Sequence, residues 1–386
     1  MNGTAQSNPD TDFQVDPWTH FLGGLLELSP GLCRMLGNLE TRLLADALDD
    51  IRIVSPVYIT GLARSGSTLL LEMLDWHPDT ASHRYRDFPM LHTPYWWSRF
   101  LDYTPRADSG PAERAHRDGI QVTPESPEAF EEVLWMKHFP DLHRASVSSV
   151  LDGDTSNPDF EAFYRDHIRK LLLIRQGRRY LSKANYNITR LEYLLKIFPD
   201  ARFVVPVRNP VWHIASLMKQ HRLFCAGQKD NPRALKHLQR VGHFEFGLDR
   251  RPINTGDARE TRMIAVLWKQ GKEVEAWARY WNSIHGFLAE RLERNERLRE
   301  AALVVPFEEL CRRPRGKAAA IFEHCRLPAS DSLLERCRER IRFPAYYRPN
   351  FTYQELTTIE SFTAPTLARL GLVEAVTAGG GETGNG

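Results

Sequence analysis

Two glycines frame the stretch of the sequence with the clearest chemical potential. Residues 60–68 read Thr-Gly-Leu-Ala-Arg-Ser-Gly-Ser-Thr, between a short apolar run at 57–59 and a longer one that begins at Leu69. This order predicts a strand, a loop and a helix, because Gly61 and Gly66 can adopt backbone angles that other residues avoid. The first turn of a helix carries unpaired N–H groups and a partial positive charge. The stretch therefore predicts an anion cradle suited to phosphate or sulfate.

The positively charged residue of this loop occupies a different position from that in nucleoside triphosphatases. A Gly-x4-Gly phosphate loop of that class is followed by Lys, whereas this chain continues with Ser67 and Thr68. Arg64, inside the loop, supplies the positive charge instead. Because triphosphate chemistry uses that Lys together with Mg²⁺, a less charged transferable group suits this loop better.

Residues 61–70, Gly-Leu-Ala-Arg-Ser-Gly-Ser-Thr-Leu-Leu, resemble the 5′-phosphosulfate loop of sulfotransferases that use 3′-phosphoadenosine-5′-phosphosulfate (PAPS). The family usually has Pro where Ala63 stands. An ordinary glycine turn in an α/β domain is the alternative, since short glycine motifs also occur by chance. The resemblance implies that this loop binds the phosphosulfate end of PAPS through Arg64, Ser65, Gly66, Ser67, Thr68 and Leu69.

A second segment, residues 181–217, is similar to another sulfotransferase block. In that family an Arg after a strand and a Ser on the following helix bind the 3′-phosphate of PAPS, and these positions are Arg208 and Ser216 here. A phosphate between them would gain a guanidinium fork and a hydroxyl. The alternative is a surface ion pair for Arg208 and a helix contact for Ser216.

Lys183 stands where the family carries a Lys that contacts the transferring group. Sulfuryl transfer resembles phosphoryl transfer in its loose transition state, in which charge develops on the bridging oxygen of the leaving phosphate. Preorganised cations and loop N–H groups stabilise such charge. The resemblance thus implies catalytic roles for Arg64 and Lys183, and we expect no metal to be required.

The general base is the least defined part of this prediction. Cytosolic sulfotransferases have His two residues after the Lys, but Asn185 occupies that place and cannot accept a proton. Heparan and tyrosylprotein sulfotransferases place a Glu shortly after His-Pro-Asp, and this chain has no Glu there. Asp87 is the nearest carboxylate, with His83 and His116 as rivals. We predict Asp87 as the base and His116 as the second candidate, although Asp87 could equally be an ion-pair partner.

The strands that must position these residues are visible as apolar stretches. Residues 57–59, 180–182 and 202–207 each end in the polar residues named above, and 302–307 is a fourth stretch of this type. Ligands of open parallel sheets bind at the carboxyl ends of strands, so distant residues can converge there. We predict an α/β fold with a P-loop-type parallel sheet flanked by helices.

Residues 82–165 are dense in proline and aromatic residues and too irregular for a parallel βα repeat. We predict that they form a helical and irregular insertion that covers the site, with Trp96 or Trp97 lining an apolar acceptor cleft. A single domain is predicted over 17–375, between disordered stretches at 1–16 and 376–386.

The bulk composition narrows the class of protein. The formal net charge of the 386 residues is +2, which gives no global argument for nucleic-acid binding. Five widely spaced cysteines without a C-x-x-C pair argue against a zinc site or a disulfide framework. No apolar stretch approaches membrane-spanning length. We predict a cytoplasmic protein without a transmembrane segment.

Together these observations predict a sulfotransferase that uses PAPS and releases adenosine 3′,5′-bisphosphate (PAP). The acceptor would be a hydroxyl or, second in preference, an amine of a small molecule, lipid or glycan. Basic residues of the insertion could favour an anionic acceptor: Arg84, Arg86, Arg114 and Arg117. The alternatives are a kinase-like phosphoryl transferase and a catalytically inactive nucleotide-binding scaffold of the same fold. The oligomeric state stays open, a homo-oligomer included.

Overall fold

A computed structural model describes residues 15, 17–104, 110–113, 120–344 and 347–373. Except for residue 15, the stretches predicted to be disordered lie outside these ranges. The strands are β1 (Val57–Ile59), β2 (Thr80–Ala81), β3 (Ala112–Glu113), β4 (Gln121–Val122), β5 (Arg179–Lys183), β6 (Arg202–Val207) and β7 (Ala302–Pro306).

The helices of the described ranges precede, separate and follow these strands. They are α1 (Pro17–Leu28), α2 (Pro30–Leu43), α3 (Ala45–Asp49), α4 (Ser67–Asp75), α5 (Pro94–Asp102), α6 (Glu131–His138), α7 (Pro158–Arg175), α8 (Leu191–Ile197), α9 (Pro210–Lys229), α10 (Pro232–Val241), α11 (Ala258–Lys269), α12 (Glu273–Arg294), α13 (Glu296–Ala301), α14 (Phe307–Arg312), α15 (Pro314–His324), α16 (Asp331–Arg340) and α17 (Tyr353–Arg369). Two 3-10 helices cover Tyr85–Asp87 and Asn185–Thr189.

Five strands form one parallel sheet in the order β2-β5-β1-β6-β7. In the centre, Val57 of β1 pairs with Leu181 of β5 on one side and with Arg202 of β6 on the other. The predicted parallel sheet flanked by helices is therefore confirmed. Because all five strands run the same way, their carboxyl ends form one edge, and the candidate residues follow three of them.

The sheet is buried on both faces, as the apolar strand sequences require. Side chains alternate along β1, so Tyr58 joins the larger apolar core while Val57 and Ile59 join a second core. The larger core includes residues of α7, α9 and α12, and the second includes residues of α4 and α15. The helices thus hold the strands, and with them the strand ends, in fixed positions.

The turn from β6 into α9 is set by Asn209. Its side-chain oxygen accepts hydrogen bonds from Val211 N at 2.9 Å and Trp212 N at 3.3 Å, and Pro210 takes the first helical position. Such a cap satisfies N–H groups that the first turn leaves unpaired. Arg208 is therefore the single residue between the end of β6 and the Asn209 cap, at the carboxyl edge of the sheet.

One buried ion pair ties the region predicted as an insertion to its neighbours: Arg190 lies 2.8 Å from Glu132 of α6. A second, just after that region, joins Lys170 of α7 to Glu40 of α2 at 3.1 Å. Between β2 and β5 the described residues form a 3-10 helix, α5, the antiparallel pair of β3 and β4, α6 and α7. Over the described residues, no helix is both long enough and apolar enough to cross a membrane.

Candidate active site

The loop between β1 and α4 has the backbone of an anion cradle. Arg64 has φ +69° and Gly66 has φ +104°, both in the left-handed region. A Cβ atom on Gly66 would lie 2.5 Å from the ring of Phe307, so glycine is required there for space as well as conformation. Gly66 immediately precedes α4, whose first two residues are Ser67 and Thr68. The loop thus leads directly into a helix N-terminus.

A buried histidine and an unpartnered hydroxyl complete the loop. Nε2 of His213, on α9, lies 2.8 Å from the carbonyl oxygen of Ala63. Burial holds the pKa of His213 well below its ordinary value. The neutral ring therefore donates Nε2–H to that carbonyl. Ser65 is fully buried, and its hydroxyl has no hydrogen-bond partner in the described part of the chain. Because buried polar groups are normally paired, this hydroxyl suits a bound ligand.

Arg208 is buried beside the loop with unused donors. It is 2% exposed, and Nη1 donates to the Arg64 carbonyl at 3.4 Å. Its Nε and Nη2 have no hydrogen-bond partner among the residues described. The guanidinium lies 5.1 Å from the ring of Phe307 and 5.6 Å from that of Phe343, which hold its position. A buried cation with free donors is costly by itself and suits an anionic ligand.

Ser216 of α9 lies beside the loop. Arg64 Nε donates to its hydroxyl at 3.5 Å. The structure therefore brings together the loop, Arg208 and Ser216, which are far apart in the sequence.

Arg208 and most of the loop line a large cavity of about 680 Å³, whereas Ser65 and Ser216 lie behind its lining. Arginines 336, 340 and 342, from α16 and the segment after it, line the same space. No motif in the C-terminal sequence pointed to these three arginines. Since Arg64 and Arg208 share the cavity, its lining carries five guanidinium groups, which favours an anionic ligand.

A small cavity of about 60 Å³ adjoins the large cavity, because Arg64, Ser67 and Thr68 line both. Lys183 reaches it from the end of β5. The remaining lining residues are Ala63, Glu128, Asn185, Phe224, His243, Glu245 and Phe246. Lys183, the predicted catalytic Lys, thus lies next to the loop. The sequence did not indicate that Glu128, His243 and Glu245 would line the same cavity.

Charged neighbours shift the pKa values of three side chains that line this small cavity: Glu128, His243 and Glu245. Burial alone would raise the pKa of Glu128, but Lys183, the Ala129 N–H and the Tyr85 hydroxyl together lower it below its ordinary value. Burial alone would lower the pKa of His243, but Glu245 and Glu128 raise it above its ordinary value. The pKa of Glu245 is itself lowered, chiefly by His243 against the effect of burial. The cavity therefore combines a cation, two carboxylates and an imidazole.

Residues 56–240 match the family model described as "Sulfotransferase family". The predicted sulfotransferase resemblance is confirmed. The match contains the loop, Lys183, Arg208 and Ser216, and it supports sulfotransferase activity. No curated protein sequence matches the chain.

Several solved sulfotransferase structures are similar to the chain at low identity. STF9 from Mycobacterium avium is 16% identical, with TM-score 0.46, over 85% of this chain and 80% of that one. STF1 from Mycobacterium tuberculosis is 15% identical, with TM-score 0.45, over 92% and 94%. A sulfotransferase from Alicyclobacillus acidocaldarius is 16% identical, with TM-score 0.40, over 85% and 99%.

Asp87, the first candidate for the base, lines neither cavity of this sulfotransferase-like site. It is 1% exposed, accepts a hydrogen bond from Arg84 N at 2.8 Å and forms an ion pair with Arg175 of α7. His83 is buried against His167, with their Nε2 atoms 2.9 Å apart. His116 lies outside the described residues. Asp87 and His83 thus hold the insertion together, and neither faces the loop.

The other predicted acceptor-side residues are also engaged elsewhere. Arg84 pairs with Asp75 at 2.5 Å, and Arg86 pairs with Asp102 at 2.9 Å, so their charges are matched within the protein. Trp97 Nε1 donates to the Arg86 carbonyl at 2.8 Å. Neither Trp96 nor Trp97 lines the large or the small cavity. Arg114 and Arg117 lie outside the ranges that the structure describes.

Proposed function

We propose that this protein transfers a sulfuryl group from PAPS to a hydroxyl of a small-molecule, lipid or glycan acceptor and releases PAP. The observation that carries the proposal is the buried Arg208, whose two unused donors adjoin the Arg64 loop at one cavity. A donor with phosphates at two positions needs two such anion sites side by side. The volume of about 680 Å³ is within the usual range for ligand pockets.

Residues that line the large cavity, together with Ser65 and Ser216 beside it, fit the two charged ends of PAPS. The 5′-phosphosulfate end would meet the N–H groups at the start of α4, the Arg64 guanidinium and the unpartnered Ser65 hydroxyl. The 3′-phosphate would meet Arg208 and Ser216. Glycine at position 66 lets a ligand approach the backbone closely.

The chemistry then depends on cations at the bridging oxygen. PAPS supplies a sulfuryl group already bound to a phosphate, so the leaving group departs with its charge developing on oxygen. Lys183, which is 8% exposed, and Arg64 both line the small cavity beside the loop. Fixed cations in a site that excludes water stabilise such charge strongly, because the local dielectric constant is low.

A cytoplasmic location is part of the proposal. All five cysteines are free thiols, three of them buried. Free thiols are typical of proteins in a reducing compartment.

Calorimetric titration with PAP and with ATP tests the donor assignment. We expect PAP to bind at least tenfold more tightly than ATP, and Arg208→Gln to weaken PAP binding at least thirtyfold, or about 2 kcal/mol. Arg202→Gln is the matched control, since Arg202 lies at the other end of β6 and donates to the Glu300 carbonyl. Equal affinity for ATP would support a kinase-like transferase instead.

Activity is tested separately with a panel of acceptors and ³⁵S-labelled PAPS. Transfer of label to any hydroxyl acceptor would support an active enzyme. PAP binding without transfer to any acceptor or to water would support the inactive scaffold.

A further inference from the structure

The small cavity holds an imidazole and two carboxylates that donor binding leaves unused. We propose that His243, oriented by Glu245 and Asn185, accepts the proton of the acceptor hydroxyl. This inference rests on the proposed sulfotransferase function, and it places the general base in a segment that the sequence did not indicate.

The backbone delivers His243 to the cavity through a tight reversal after α10. Gly242 ends that helix with φ +77°, and a Cβ atom there would lie 2.6 Å from Glu132 Cγ. The next amide, His243 N, donates to the Leu238 carbonyl at 2.9 Å. The position of His243 relative to α6 and α10 is therefore fixed by the fold.

Hydrogen bonds fix the tautomer of the ring. His243 Nδ1 lies 3.3 Å from Glu245 Oε2. An ionised carboxylate only accepts, so Nδ1 carries the hydrogen and the neutral ring has its lone pair on Nε2. Asn185 Nδ2 donates to the other oxygen of Glu245 at 2.9 Å and holds the carboxylate in place. Asn185, which cannot be the base, thus supports the residue that can.

Glu128 is the competing base in the same cavity, and its oxygens are already engaged. Its Oε1 accepts from Ala129 N at 2.6 Å, and the Tyr85 hydroxyl and Lys183 also act on the carboxylate. These contacts lower its pKa, so it holds a proton poorly. The pKa of His243 is shifted the other way, above 6.5, which suits a base working near neutral pH.

The groups around His243 explain that balance. Burial and Lys183 oppose its charged form, whereas Glu245 and Glu128 favour it. His237 on α10 stays neutral where His243 titrates, because burial lowers the pKa of His237 to about 4. When the ring takes a proton, the two carboxylates stabilise the new charge.

The step balances without a further reactant. The acceptor oxygen forms a bond to sulfur while the bond from sulfur to the bridging oxygen breaks, and its electron pair stays on PAP. The hydroxyl proton moves to Nε2 of His243. Lys183 and Arg64 stabilise the charge on PAP, and His243 later returns the proton to solvent.

The pH profile of sulfuryl transfer tests the assignment, with water as the acceptor and sulfate release from PAPS as the measurement. We expect the wild-type rate to fall at acidic pH as His243 becomes protonated. His243→Gln should lower the rate by 10²- to 10³-fold, in the range of general-base catalysis, and remove this acidic fall. Glu245→Gln should move it to lower pH. His237→Gln, on α10 and lining neither cavity, is the control and should leave the profile unchanged.

A second readout does not depend on turnover. In the PAP complex, the ring of His243 should titrate above pH 6.5 by nuclear magnetic resonance, and Glu245→Gln should lower that pKa. An unchanged titration in Glu245→Gln would overturn the proposal, as would loss of the acidic fall in Glu128→Gln but not in His243→Gln. PAP affinity should stay within threefold of wild type in all variants. If wild-type protein does not bind PAP, the sulfotransferase proposal itself fails.

Discussion

The two sides of the site are built in different ways. The proposed donor side consists of the large cavity and depends on backbone: a loop with three residues of positive φ, a helix start and one buried Arg after a strand. The proposed acceptor side consists of the small cavity and depends on side chains from distant segments, namely Glu128, Lys183 and the pair of His243 and Glu245. Backbone requirements restrict which residues can occupy neighbouring positions. Contacts between distant side chains leave no such local pattern.

Removing Lys183, which lines the small cavity beside the loop, should have the largest effect. Lys183→Ala should lower turnover by about 10²- to 10³-fold, because a preorganised cation acts mainly in the transition state. PAP affinity should change by less than about threefold, since most ground-state contacts come from the loop and Arg208. Lys196→Ala is the control, because Lys196 donates to the Thr155 carbonyl at the surface. Equal turnover in Lys183→Ala would contradict the catalytic role.

Asp87→Asn separates scaffold from chemistry on the acceptor side. Breaking its buried ion pair with Arg175 should lower the free energy of unfolding by about 3 kcal/mol, measured by urea denaturation. The folded variant should keep its PAP affinity and turnover. Asp141→Asn breaks an exposed pair with Arg144 and should cost at most about 0.5 kcal/mol. A stable but inactive Asp87→Asn protein would restore Asp87 as a candidate base.

Gly66→Ala tests how far the donor side depends on backbone. The added methyl meets the ring of Phe307, so we expect PAP to bind about 30-fold more weakly, a loss of about 2 kcal/mol. Gly256→Ala is a matched control: its φ is +101°, but the nearest atom to an added Cβ is 4.0 Å away. That variant should lose stability by about 1 kcal/mol and keep its PAP affinity. Unchanged PAP affinity in Gly66→Ala would argue against the cradle.

The smallest effect is expected at the outer arginines of the large cavity. Arg340→Gln should weaken PAP binding about threefold at low salt, and the difference should disappear at about 0.5 M salt, because exposed charges are screened. Arg338→Gln, on the same helix but outside the cavity lining, should have no effect. A large, salt-independent loss in Arg340→Gln would show that the donor is held in direct contact there.

The sequence predicted the parts of the molecule whose requirements are local. The apolar stretch at 202–207 coincides with β6, and Asn209 with Pro210 begins α9 as their types imply. The loop at 60–68 lies where its glycines and flanking apolar runs indicated. These features follow from backbone geometry and from burial on both sheet faces.

The acceptor side escaped prediction for a physical reason. Asp87 is the nearest carboxylate after the His-Pro-Asp stretch, but its ion pair with Arg175 depends on the packing of α7, which the sequence does not reveal. Glu128 lies in the irregular insertion, and His243 belongs to no motif. Only the fold places residues 128, 183 and 243 around one space.

The ring of Phe307 joins two requirements at the donor side. Its edge leaves room only for glycine at position 66, and its face supports the Arg208 guanidinium at 5.1 Å. Substitutions at 66 and 307 are therefore interdependent: a larger residue at the first would require a smaller one at the second. Arg208 would then lose the nearest of its aromatic neighbours and keep Phe343. In a library randomised at both positions, most functional variants should combine glycine at 66 with an aromatic ring at 307, or a larger residue at 66 with a smaller one at 307.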